Sequence, residues 1–483
     1  MSEPREPLRR VVVVGDGPLG AMAALALRRA LPATQVVVIG VPPQPASFAE
    51  RSPGALPFSL WLLERLGISE EELVQKCGGS HRLAMRYVAG DWQKVAAYGA
   101  EVDPRKHSGF ARDWGNGPRN ASQPAPPGSL AEILAASGRF APPSPNGESP
   151  LASVEYAMRW NAGALRGLLA EKAQAAGVQR VAGPISALRP DGKGGVAALA
   201  IAGAGEIEAD LVVDCSGPEA AALSGLPDAG RIDWSRELPV VGAVFGPSGH
   251  PMAALDDQLT LTESGWRWDV PGRDGLASIL TVAEGASREA AEGAPGGGTA
   301  MVPLSPGRFA ASWIGNVVAL GDAAVQLDPL AGFATDLAHR QLGLLLELLP
   351  GREIHALERG EFNRRAALMA DRARDVLVAH CYSPQAREVF RDIVVPDELR
   401  LIIDQFERRG RIPFFEESPL LTQEWASLLT ALSYTAGEGA LTQASDPGLV
   451  QSAAQAFAAR ADAALRAAPL YREWLASALA GPA

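Results

Sequence analysis

The sequence predicts an α/β fold with a Rossmann-type dinucleotide-binding domain, a β-sheet substrate region and a helical C-terminal region. Three observations carry that prediction. Near the N-terminus a β-branched run, Val11 to Val14, leads into Gly15, Gly17 and Gly20 in GxGxxG spacing, then into the alanine- and leucine-rich stretch Ala21 to Leu31. Two later apolar runs end in tight turns, "LVVDCSG" at Leu211 to Gly217 and "VVALGD" at Val317 to Asp322. From residue 334 onward the apolar residues recur almost throughout at helical spacing. The expected division is 1–345 for the cofactor-binding and substrate-facing region, built of noncontiguous subdomains, and 346–483 for the helical region.

The first motif reads as a buried parallel strand, a turn and a helix. Gly15 permits the tight turn and Gly17 lets the backbone approach a pyrophosphate. Gly20 lets the helix pack closely on the strand, and the helix N-terminus faces the negative charge. A second strand, "TQVVVIG", ends at Gly40, where a dinucleotide fold normally offers Asp or Glu to the ribose. Glu50 and Arg51 come later and can substitute only from an unusual place, so the adenosine end is expected to be held weakly or differently. At the second turn, Asp214, Ser216 and Gly217 can bring backbone against a cofactor. At the third, Gly321 makes the turn and Asp322 can accept from a sugar-alcohol chain, while the helix that follows favours a flavin anion. These turns together point to FAD. The plain alternative for Asp322 is a helix N-cap.

Residues 116–150 are rich in Pro, Gly, Ser and Asn and read as a long loop around one short helix at "LAEILAAS". The stretch 153–181 reads as strand, helix, strand. "EGAPGGGTA" at 292–300 reads as a flexible turn between strands. In "GWRWDVP", Trp266 and Trp268 are two apart, so on a strand both rings point to one face. A paired indole wall lines an aromatic substrate pocket or shields flavin chemistry from water; the alternative is core packing.

Composition excludes several classes. A formal net charge of -11 argues against a nucleic-acid surface. Cys77, Cys215 and Cys381 are far apart with no CxxC pair, and no HExxH occurs, so no metal is expected and a reducing cytoplasm is. The arginine pair before Val11 suggests a signal peptide, but the apolar run breaks at Gly15-Asp16-Gly17-Pro18, so a strand is expected. No uninterrupted apolar stretch reaches 18 residues, so no membrane span is expected.

The order of these pieces resembles the flavin-dependent tryptophan halogenase family from about residue 9 to about residue 435. The resemblance includes "LPFSLWLLERLGI", "GGSHRLAMRY", "ADLVVDCSG", "DPLAG" and "VPDELRLIIDQFERRGRI". "GWRWDVP" is similar to the family's WxWxIP signature with Val for Ile. It implies a flavin monooxygenase/halogenase-like fold that takes FAD as FADH2 from a separate flavin reductase. Oxygen and halide then yield hypohalous acid, which a Lys and a Glu deliver to an aromatic small molecule or a peptide. A homodimer is left open.

Two departures matter. The position of the family Lys falls on Arg82, whose guanidinium is essentially never deprotonated and forms no haloamine. The position of the family Glu falls on Ala331, which has no side-chain acceptor. The halide-binding Ser-Thr-Gly reads Gly332-Phe333-Ala334, so Phe333 stands in the expected substrate pocket with Trp266 and Trp268. Loss of general acid–base groups costs ~10²–10⁴-fold in rate. The expected function is therefore a reduced-FAD- and O2-dependent oxidoreductase of an aromatic or indole-like substrate, without regioselective halogenation through a lysine. The alternatives are a non-catalytic flavin- or peptide-binding protein on the same fold and a flavin hydroxylase.

Overall fold

The computed structural model describes residues 6–99, 129–143, 149–246, 249–250, 252–273, 275–293, 300–439 and 447–480. Most of the expected loop, 116–128 and 144–148, lies outside the described residues, as does 294–299 of the expected glycine-rich turn.

A six-stranded sheet holds the cofactor end. Its first strand, Arg10–Val14, lies parallel to Gln35–Gly40 on one side and to Leu211–Asp214 on the other; Val317–Ala319 follows beyond Leu211–Asp214. Val11 to Val14 and Leu211 to Val213 are fully buried, as strands covered on both faces must be. The helix Pro18–Ala30 begins directly after the glycine turn, with Gly17 as its N-cap and Pro18 in the first turn, where a missing N–H costs nothing. All three turns singled out in the sequence thus open at the same end of one sheet.

A seven-stranded sheet forms the second layer, in the order Val302–Pro303, Val240–Phe245, Gly275–Ala283, Gly265–Gly272, Asp256–Thr262, Ala84–Ala89, Trp92–Ala97. Along Gly265–Gly272 the exposure alternates, and Trp266 and Trp268 share the buried face. A two-stranded ladder beside it pairs Ser80–Arg82 with Ala157–Arg159, with Ser80 opposite Arg159 and Arg82 opposite Ala157.

The expected division at 345/346 falls inside the helix Phe333–Glu347. That helix packs against Phe48–Arg51, Pro57–Arg65 and the long helix Ala356–Cys381. The helical tail also returns to the N-terminal half: Tyr471 Oη accepts from the His81 N–H at 2.7 Å, and Tyr471–Ala480 packs on Glu70–Lys76. One continuous apolar core runs from Leu8 to Leu475. No helix among the described residues is long and apolar enough to cross a membrane.

Candidate functional site

At the sheet end the three turns close on the head of the first helix. Gly15 has φ +114° and packs on the Cys215 carbonyl, where an added Cβ would stand 2.3 Å away. Gly20 packs on Gly15, and Gly321, at φ +59°, lies against Leu19. The position beside Gly17 is taken by Glu50: a Cβ there would be 2.2 Å from Glu50 Oε2. Glu50 Oε2 accepts from the Leu19 N–H at 3.1 Å. Burial pushes the Glu50 carboxyl up to about 8 against the lowering pull of that N–H. Glu50 therefore sits beside Gly17 at the head of the first helix, not at the end of the strand Gln35–Gly40.

At the ribose end Gly40 is covered by Arg180, whose Nη2 lies 2.8 Å from a Cβ built on Gly40. Arg180 and Arg166 both pair with Asp16, inside the glycine turn. A basic group thus stands where a dinucleotide fold places a carboxylate.

Asp214 is buried and uses both oxygens within its own turn. It accepts from Ser216 N at 3.0 Å, Ser216 Oγ at 2.6 Å, Ala222 N at 2.8 Å and Leu223 N at 3.0 Å. Its part is to shape the turn that carries Gly217, which abuts Ser47. Asp322 Oδ2 accepts from Ala49 N at 3.0 Å, at the head of the short helix Phe48–Arg51; it caps that helix rather than the one that follows it in sequence. Asp322 Oδ1 is buried without a partner, and burial pushes the carboxyl up to about 7. Arg51 stacks on Phe245 at 3.9 Å. Two cavities meet there. One, of about 430 Å³, is lined by Pro18, Gln44, Glu50 and Arg166; the other, of about 370 Å³, is lined by Arg159, Trp160 and Val270. Arg51, Ala162 and Gly163 line both, so the two adjoin as one groove.

The second cluster surrounds Arg82, which is fully buried. Its Nη1 donates to Asp257 Oδ2 at 2.8 Å, and its Nη2 to the Ala55 carbonyl at 2.7 Å. Both nitrogens reach the Ala331 carbonyl at 3.4 Å. Asp257 also accepts from Arg159 Nε at 2.6 Å and Trp268 Nε1 at 2.9 Å. Burial opposes charge on both partners, but Tyr98 and Asp257 hold Arg82 above its ordinary value, and Arg159 and Arg82 hold Asp257 below the usual carboxylate range. Arg82 is thus a clamped, permanently charged donor. Ala331 has φ +58° and contributes a carbonyl, not an acid.

Trp266 and Phe333 lie in the adjoining aromatic cluster. Trp266 Nε1 donates to the His380 carbonyl at 3.2 Å, and Phe333 meets the His380 ring edge-on at 6.4 Å. His380 Nδ1 faces the Val376 carbonyl at 2.7 Å, so it carries the proton, and Nε2 accepts from Tyr87 Oη at 3.1 Å. Burial pushes this imidazole down to about 4. Arg82, Ala331 and Trp268 thus come together, with Trp266 and Phe333 beside them.

Sequence reasoning missed Asp257, Arg159 and Tyr98. One signal existed for Asp257: it takes an inward position in the alternating strand Asp256–Thr262, in line with buried Leu259. A charge at an apolar position asks for a buried partner. Arg159 and Tyr98 gave none.

The tryptophan halogenase family profile matches residues 10–452. The chain belongs to the tryptophan halogenase family. Among curated relatives of this family member, tryptophan 7-halogenase RebH of Lentzea aerocolonigenes is 23% identical over 450 residues, covering 82% of this chain and 81% of that protein. Among solved structures, BrvH, a flavin-dependent halogenase from Brevundimonas sp. BAL3, is 26% identical with a TM-score of 0.83, over 98% of this chain and 99% of that one. Xcc4156, a flavin-dependent halogenase from Xanthomonas campestris, shares the fold at a TM-score of 0.85 and 23% identity, over 99% of this chain and all of that one. The protein is a halogenase-like flavoenzyme on an FAD-binding Rossmann-type fold.

Proposed function

We propose that this tryptophan-halogenase family member is a reduced-FAD- and O2-dependent oxidoreductase of an aromatic or indole-like substrate that does not deliver halogen through a lysine and a glutamate. The observation that carries the reading is the clamp on Arg82: its guanidinium is held by Asp257, Ala55 and Ala331 and offers no basic nitrogen.

The groove fits the flavin dinucleotide. The two cavities share Arg51, Ala162 and Gly163, and behind Glu50 the buried Asp322 Oδ1 has no partner, an acceptor that a sugar-alcohol hydroxyl would satisfy. The Gly15–Gly20 turn would lie at the diphosphate, the Ser216-Gly217 backbone beside it, and Arg51 where the cavities join. Bound reduced FAD supplies the electrons that activate oxygen. The buried Trp266, Trp268 and Phe333 are read as the wall that would keep water from the substrate, and Arg82 as a fixed positive charge beside it. Supply of FADH2 by a separate flavin reductase and a cytoplasmic location belong to the same proposal.

The test is rapid mixing of protein loaded with reduced FAD against oxygen, with and without bromide, followed by mass spectrometry of added tryptophan. The reading expects a flavin reoxidation course distinct from that of free reduced FAD, and no single brominated regioisomer. One regioisomer formed over many turnovers overturns it.

A further inference from the structure

Glu50 has no role in the reading above, yet it occupies the most conspicuous place in the groove. The residue is 6% exposed, and its carboxyl stands over Gly17 at the head of the first helix, bonded to the Leu19 N–H at 3.1 Å. Pro18 has no N–H to offer, so the carboxyl has taken a backbone donor of the helix's first turn that a diphosphate would otherwise meet. Glu50 also lines the 430 Å³ cavity.

We infer that Glu50 is a cofactor-binding residue that works as the neutral acid: it keeps the Leu19 N–H with one oxygen, donates its own O–H to a phosphate oxygen, and makes flavin binding take up a proton. The inference rests on the flavin reading of the groove. An ionised carboxylate has no hydrogen to give and would repel a diphosphate at close range in a site poor in water. The protonated acid has one donor and one acceptor, and the phosphate needs the donor.

The charged surroundings favour the neutral form. Asp322 stands behind Glu50 at the end of the third turn, and Asp16 beside it in the glycine turn, both repelling its charge; the Cys215 thiol of the second turn is also near. Arg166, from the helix Ala162–Ala175, is the opposing cation, and it is paired to Asp16. Arg51, the next residue along, is turned to the Pro45 carbonyl and the Phe245 ring. Burial is the largest influence and lifts the carboxyl to about 8. In the free protein Glu50 is thus neutral below that pH and charged above it. The proton taken up comes from solvent, and no other bond is made or broken.

The test uses the full chain freed of flavin and oxidised FAD as the probe. Binding is followed by flavin fluorescence and by calorimetry in two buffers of different ionisation enthalpy, from pH 6.5 to 9.5. With a free-protein value of about 8, the apparent Kd should rise about 10-fold between pH 7 and pH 9, with proton uptake approaching one per FAD at the alkaline end. Glu50→Gln, which keeps the acceptor and a donor without the titration, should bind FAD with one Kd across the range and take up no proton. A parent Kd equal at pH 7 and pH 9.5, or uptake below a tenth of a proton at pH 9.5, overturns the inference and leaves the flavin reading intact. Failure to bind FAD at any pH overturns both. Uptake is measured on the parent protein, so the test holds even where the Glu50→Gln chain does not fold.

Discussion

Replacing Arg82 by Met removes the guanidinium and keeps an apolar stem of similar length. Two strong bonds disappear, to Asp257 at 2.8 Å and to the Ala55 carbonyl at 2.7 Å, together with the two longer contacts to Ala331. Breaking one partner of a buried ion pair costs about 3–5 kcal/mol when the remaining charge is left alone. Asp257 is not left alone, because Arg159 and Trp268 still donate to it at 2.6 and 2.9 Å. The Ala55 carbonyl does lose its side-chain donor, which costs about 1–3 kcal/mol. The expected loss for Arg82→Met is therefore about 2–4 kcal/mol. Arg82→Lys keeps the pair with Asp257 but cannot span to Ala55 as well, and should cost about 1–2 kcal/mol. Urea unfolding followed by far-UV circular dichroism measures both at pH 7. A Met variant within about 1 kcal/mol of the parent, or a Lys variant as unstable as Met, would refute the clamp on which the proposed function rests.

Gly17→Val should abolish FAD binding in a flavin fluorescence titration while the helical dichroism stays, because its side chain would crowd the diphosphate and push on Glu50, whose carboxyl lies 2.2 Å from the added Cβ. The double change Arg82→Lys with Ala331→Glu should yield less brominated tryptophan per turnover than an enzyme with the native pair, because the new lysine stays paired to Asp257 and Phe333 remains; mass spectrometry reads the product, and turnover at the native level contradicts it. The contribution of His339 and His380 to stability should fall as pH drops from about 6.5 towards 4, against the opposite contribution of Glu50 and Asp322, whose raised carboxyls hold protons in the folded chain over that window. Folded His339 and His380 are each depressed to about 4 by burial, so the unfolded chain binds more protons in that window, worth up to ~3 kcal/mol per group. His380→Gln should remove one proton's share of that slope, and an unchanged slope in pH-dependent urea unfolding counts against it. Trp268→Phe should lose about 1–2 kcal/mol through the lost indole bond to Asp257, read by the same unfolding.

The order of residues along the chain settles whatever depends on near neighbours. A β-branched run, glycines at fixed spacing and an alanine-rich stretch specify strand, turn and helix within 21 residues, and the indole pair at 266 and 268 follows from the two-residue period of a strand. Arg82 and Ala331 stand out because they lie inside segments that resemble the family's, and the structure brings the guanidinium and that carbonyl to 3.4 Å. What each group meets is settled only when distant segments pack. Arg82 finds Asp257 175 residues away, and Arg159 finds it 98 residues away; no local pattern encodes such a pairing. Asp214 looked like a cofactor ligand because it ends a strand at the binding edge, but its oxygens turn inward to four donors of its own turn, whose buried N–H groups need them more. Glu50 looked like a stand-in for the ribose carboxylate, yet the path of the chain before Phe48–Arg51 carries it to the head of the first helix, where the N–H of Leu19 holds it and burial pushes its carboxyl up.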